Sequence, residues 1–193
     1  MVKQKAIDLG EHFSAHVHGM LLHPKATIRK IVREPIDLKD LWVPFAVILI
    51  ASVMTSIGKY IWSIAVEPSI LISLGHTIYF FADLIFLRPF WMVFIVWIFT
   101  SLVLHFIGSI VSGHDITDWK ILHKTLKLTG VAASPAFLNI LPYFFMFTGF
   151  WSFALIFWSM KENYSVSDEG AFVITAPFLA GVVFITLIRL GLL

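Results

Sequence analysis

Lys127-Leu-Thr-Gly-Val-Ala-Ala-Ser-Pro-Ala-Phe-Leu-Asn-Ile-Leu-Pro-Tyr143 is the stretch on which the fold turns. It is apolar enough to enter a bilayer, yet it carries Gly130, Pro135, Asn139 and Pro142. Each proline removes an intrahelical donor, so carbonyls near Val131 and Leu138 lose their usual partners. Bare backbone groups are not tolerated in lipid, so neighbouring protein must cover them. The stretch therefore predicts a bent, protein-buried span in a polytopic helical bundle, with Asn139 bonded to a neighbouring span or to freed backbone. Gly130, Ala133 and Ser134 supply the small surface for close approach.

Composition agrees with a membrane chain. Hydrophobic residues make up 59% and charged residues 13% of 193, against about 25% charged in soluble domains. Mean hydropathy is +0.88. Cysteine is absent, which excludes disulfides, a thiolate nucleophile and a cysteine metal site. A formal charge of +2 gives no support to nucleic-acid binding. The charged, histidine-containing first 40 residues do not read as a cleaved signal peptide.

Apolar runs at about 42–66, 89–111, 147–160 (extendable to 164) and 171–192 join the opening stretch to give five spans, the first close to the ~20 residues a bilayer requires. Residues 69–87 are apolar but contain His76, Tyr79 and Asp83. A sixth span there would put Lys120, Lys124 and Lys127 outside, against the positive-inside rule. They read instead as an outer interfacial or re-entrant helix. The expected organisation is a cytoplasmic segment, 1–40, and a five-span domain, 41–193, in the cell membrane.

Two segments read as basic amphipathic helices on the cytoplasmic leaflet. In 24–34, Ile28, Ile31 and Val32 form an apolar stripe beside Lys25, Arg29, Lys30 and Arg33. Pro24 opens this helix and Pro35 ends it. In 117–128, Lys120, Lys124 and Lys127 share a face opposite Trp119, Leu122 and Leu126, with Asp115 or Thr117 as cap.

Candidate chemistry is sparse. His12 and His16 share a helix face at a metal-binding spacing but lack a third ligand, so solvated or interfacial histidines are the simpler reading. Lys59 lies inside the first span, where an ionisable group is a functional hypothesis by default. The plainer account is that it snorkels outward and pairs with Glu67 or Asp83. His105, in the second span, reads as a hydrogen-bonded packing residue rather than a proton relay. No nucleophile elbow, paired-carboxylate site or phosphate loop appears, so neither enzymatic activity nor a cofactor is expected.

The order of features resembles the Yip family, five-span membrane proteins named for binding Ypt/Rab GTPases. Leu22-His-Pro-Lys-Ala-Thr-Ile-Arg-Lys-Ile-Val-Arg33 resembles the short Pro-containing helix before the first span of prokaryotic members. Asp40-Leu-Trp-Val-Pro44 is similar to the Asp-Leu-Tyr-Gly-Pro motif that opens that span, with Trp42 for tyrosine and Val43 for glycine. Thr125-Leu-Lys-Leu-Thr-Gly-Val-Ala-Ala-Ser-Pro135 keeps the Gly-to-Pro spacing of a third family segment, with Val131 for its tyrosine. The resemblance implies that Asp40, Leu41, Pro44, Gly130 and Pro135 hold motif positions. It also implies a non-enzymatic adaptor or organiser whose partners are the bilayer and other integral membrane proteins. The competing expectation is a small transporter or channel, or an accessory subunit of one, with Lys59, His105 and Asn139 lining the path.

Overall fold

The computed structural model describes residues 2–66, 78, 82, 88–141 and 144–189. Asp83, Pro142 and, apart from residues 78 and 82, the helix expected at 69–87 lie outside them. The described chain is all-α. Seven helices run in order: α1 (Val2–Leu22), α2 (Pro24–Arg33), α3 (Trp42–Val66), α4 (Arg88–Ser112), α5 (Trp119–Val131), α6 (Phe144–Tyr164) and α7 (Asp168–Arg189). Two 3-10 segments, Leu38–Leu41 and Ser134–Ile140, precede α3 and follow α5. α3, α4 and α7 are long and apolar enough to cross a membrane.

Local chemistry sets the boundaries. α2 starts on Pro24 and stops before Pro35. α4 ends where Gly113 takes φ +72°, the left-handed conformation a helix terminus favours for glycine. The Asp118 carboxylate caps α5 by accepting from the Lys120 amide at 2.8 Å. Asp115, an expected cap, instead closes the preceding turn by accepting from Thr117. α7 carries Asp168 and Glu169 in its first turn, where the helix dipole favours negative charge.

The surface is inverted relative to a water-soluble bundle. Phe99 on α4 is 67% exposed and Phe147 on α6 is 70% exposed. On α4 the outward face is Ile95, Phe99, Leu102, Phe106 and Ile110, while Ser101, His105 and Ser109 point inward. Polar residues inside and bare aromatics outside are stable only where the surroundings are apolar. The chain is a membrane protein.

Two larger sequence expectations also need correction. The third apolar stretch is not a bent α-helix of its own. α5 runs into it from Trp119, so the expected surface helix and the third span are one element. The α-helix stops at Val131, and the chain continues as a 3-10 segment with Pro135 in its first turn. Pro135 has no N–H to bond back to Val131, and the tighter 3-10 winding shortens the reach of each bond. At about 2.0 Å rise per residue, these seven residues extend further than an α-helix would.

The second correction concerns α2. Its apolar stripe does not face lipid. Ile28 and Ile31 are fully buried and pack in one core with Met20, Leu155 and Met160. A strong amphipathic pattern fixes which face is covered, not what covers it. Here the cover is the protein's own α1 and α6.

Candidate functional site: the junction of the motif segments

The segments 40–44 and 125–135 meet face to face. Lys127 is only 3% exposed, although its spacing placed it on a basic surface. It donates to Glu34 at 2.7 Å and to Asp40 at 3.3 Å. Glu34 also lies 3.4 Å from Nε2 of His16. Thus α1, the end of α2, the 3-10 turn before α3 and α5 converge on one charge cluster. Burial would raise the Glu34 pKa, but the hydrogen bond and charge of Lys127, then the charge of His16, hold it below its ordinary value.

One turn further along α5, Gly130 lies against Pro44. A Cβ there would strike the Pro44 ring and sit 3.1 Å from the Trp97 ring. Only glycine permits this approach of α3, α4 and α5. Trp97 in turn donates its indole N–H to the Leu126 carbonyl at 3.2 Å and to Thr129 Oγ1 at 3.1 Å. Ser101 completes the set, 2.6 Å from Thr129. Asp40, Pro44 and Gly130, marked by family resemblance, are therefore brought together. Leu41 packs nearby with Ile48, Phe90 and Trp97.

Asn139 bridges two helices deeper in the bundle. Its amide nitrogen donates to Thr55 on α3 at 3.2 Å, and its oxygen accepts from Thr148 on α6 at 2.6 Å. The backbone of Asn139 rests directly on Gly58 of α3. Asn139 thus bonds to neighbouring helices as expected, while the Leu138 carbonyl is satisfied locally by the Leu141 N–H at 2.9 Å.

His105 closes a third network. Its Nε2 donates to the Ile116 carbonyl at 2.9 Å, which leaves Nδ1 to accept from the Tyr164 hydroxyl at 2.8 Å. The Tyr164 oxygen lies 3.0 Å from Thr125 Oγ1, and Asn163 also donates to Thr125. The Tyr164 ring packs on Gly108, where a Cβ would enter the ring.

The remaining candidates lie apart. Lys59 is exposed on α3. Lys25, Arg29, Lys30, Arg33 and Lys120 are exposed near the charged end, and Lys124 donates to the Val32 carbonyl at 2.6 Å. His12 is on α1, but its side chain falls outside the described ones. Among the described residues no group of three His, Asp or Glu side chains is placed to hold a metal. Sequence reasoning missed Glu34, Thr55, Gly58, Gly108 and Tyr164 as packing partners. For Gly58 and Gly108 the available signal was the single glycine in each of two long, mainly apolar helices.

A sequence model of the Yip1 domain family matches residues 19–189. No curated protein and no solved structure matches.

Proposed function

We propose, from the premise that this chain belongs to the Yip1 family, that it is a five-pass, non-enzymatic membrane adaptor or organiser binding other membrane proteins. In this reading α3, α4, α5 with its 3-10 continuation, α6 and α7 each cross the bilayer. The N-terminal segment stays cytoplasmic, docked on the charged end. The observation that carries the reading is the use of the interior polar groups. Asn139, His105, Trp97 and Lys127 bond to other side chains and backbone of the same bundle.

A transport path would need convergent polar groups around a wet cavity at mid-depth. The cavity beside the third segment is about 160 Å³ and is walled chiefly by Ile48, Val93, Trp97, Ala132 and Phe178. His105 and Asn139 belong to separate hydrogen-bonded networks and Lys59 is exposed, which disfavours the small-transporter reading.

Two experiments test this. Lys30→Cys and Lys120→Cys, made in a chain without native cysteine, should label from the cytoplasmic side, and Val66→Cys from the other. Labelling of positions 30 and 120 from opposite sides would overturn the topology. Crosslinking in native membranes, followed by purification, should recover a stoichiometric integral membrane partner. Recovery of the chain alone, with ion or solute flux in proteoliposomes, would favour transport.

A further inference from the structure

Away from the junction, cations from two helices meet at one cavity of about 420 Å³. That volume lies in the usual range for ligand pockets. Lys25 and Arg29 come from α2 and Lys161 from the last turn of α6; Glu162 and Asp168 are the carboxylates, and Trp158 walls the cavity. Arg29 is held by Glu162 at 2.9 Å and Lys161 by Asp168 at 2.6 Å. Lys25 is different. Its Nζ stands 5.1 Å from the centre of the Trp158 ring, and among the described residues no carboxylate pairs with it. Three cations against two carboxylates leave the cavity one positive charge in excess.

The depth of the cavity matters as much as its charge. α6 carries no charged residue from 144 to 160, and Lys161 and Glu162 are the first. α7 carries none between Glu169 and Arg189. The cavity therefore sits where the charge-free belt stops, with indole on its apolar side. Trp at such a level marks a bilayer interface. Below it, Trp151 on α6 and Phe172 and Val173 on α7 are exposed.

We propose that this cavity binds the phosphodiester of an anionic membrane lipid. The phosphate meets Lys25 and Arg29, the glycerol region lies against Trp158, and the acyl chains run down the exposed faces of α6 and α7. The ligand differs from a lipid drawn to a diffuse basic surface, because α2 is docked on protein and only some of its cations line the cavity. The proposal rests on the membrane-embedded reading of the bundle and not on the adaptor role.

The test is native mass spectrometry of the full chain in detergent, titrated with dioleoylphosphatidylglycerol. The double variant Lys25→Gln/Arg29→Gln should lose at least about tenfold in retention. The double variant Lys30→Gln/Arg33→Gln, equal in charge and on the same helix, should retain lipid like wild type. Dioleoylphosphatidylcholine, whose headgroup has no net charge, should bind more weakly to the wild-type chain. Equal losses in both double variants would mean diffuse attraction and overturn the site. Displacement of the lipid by millimolar inorganic phosphate would assign the cavity to a soluble anion and overturn the lipid. Should the first double variant elute as aggregate, Lys25→Gln against Lys30→Gln carries the same comparison at equal charge. Failure here leaves partner capture and topology untouched, so the two readings fall separately.

Discussion

Replacing Lys127 by Met puts the junction under direct test. The side chain is buried and its ammonium bonds Glu34 at 2.7 Å and Asp40 at 3.3 Å. Removing one partner of a buried pair costs about 3–5 kcal/mol, because the other charge is left uncompensated. Glu34 retains 17% side-chain exposure and can recruit water, so the expectation lies at the low end, about 3 kcal/mol. For a chain of this length that is a fall of about 6–12 °C in Tm. Glu34→Gln should cost less, since Lys127 keeps Asp40. In the double variant Glu34→Gln/Lys127→Met the losses should fall short of additivity by about 1 kcal/mol or more, the sign of a direct pair. Thermal unfolding in detergent, followed by tryptophan fluorescence, reads all four proteins. An unchanged Tm for Lys127→Met, or strict additivity, would refute the junction as a structural lock.

The same cluster predicts acid sensitivity. Glu34 has its pKa depressed below its ordinary 4.5 in the folded chain, so the unfolded state binds more protons and stability rises with pH through this window. The contribution is complete above about 4.5 and fades as pH falls through the lower folded value; wild type should lose more stability than Lys127→Met between pH 6 and pH 3, and parallel losses would contradict this. Gly58→Ala should destabilise by about 1–3 kcal/mol through overpacking, because a Cβ there meets the Asn139 backbone. Gly181→Ala, with nothing within 4 Å, should be neutral or stabilising; equal Tm values for the two variants would show that the third segment does not rest on α3. Asn139→Leu should also lower Tm, since Thr55 and Thr148 lose their partner, and a wild-type Tm would count against the bridge.

How much of this was legible depends on what each pattern encodes. The bounds of α3 follow from a long apolar run with Lys59 as its single charge, and the structure places them at Trp42 and Val66. The need for cover around 127–143 was readable from Pro135 and Asn139, because missing donors and a buried amide require neighbours wherever they sit. The winding was not readable. A proline forbids one bond but does not choose between a bent α-helix and a 3-10 segment; the supporting surface of Gly58 and Thr148 chooses. α2 shows the same limit. Ile28 and Ile31 specify a covered face, but lipid and protein are equally apolar covers. Lys127 shows it most sharply. Its i−3 and i−7 spacing to Lys124 and Lys120 gives a shared helix face, yet burial depends on Glu34, 93 positions away in sequence.

That distance explains why the polar residues carry the architecture. Lipid tails are as apolar as leucine, so burying Phe or Ile between helices gives little preference for one arrangement over another. Close packing and hydrogen bonds must select it. Three close approaches within the bundle fall at glycines: Gly130 against Pro44, Gly58 against the Asn139 backbone, and Gly108 against the Tyr164 ring. Two of these lie along the third segment, one near its charged end and one deeper. Each stands beside a hydrogen-bonded polar residue, Lys127 near Gly130 and Asn139 on Gly58. The segment is thus pinned in both depth and rotation. A slide along α3 would separate Asn139 from Thr55, and a rotation would turn Lys127 away from Glu34 and Asp40. The apolar exterior sets no such constraint and stays available for lipid or for the transmembrane helices of a partner.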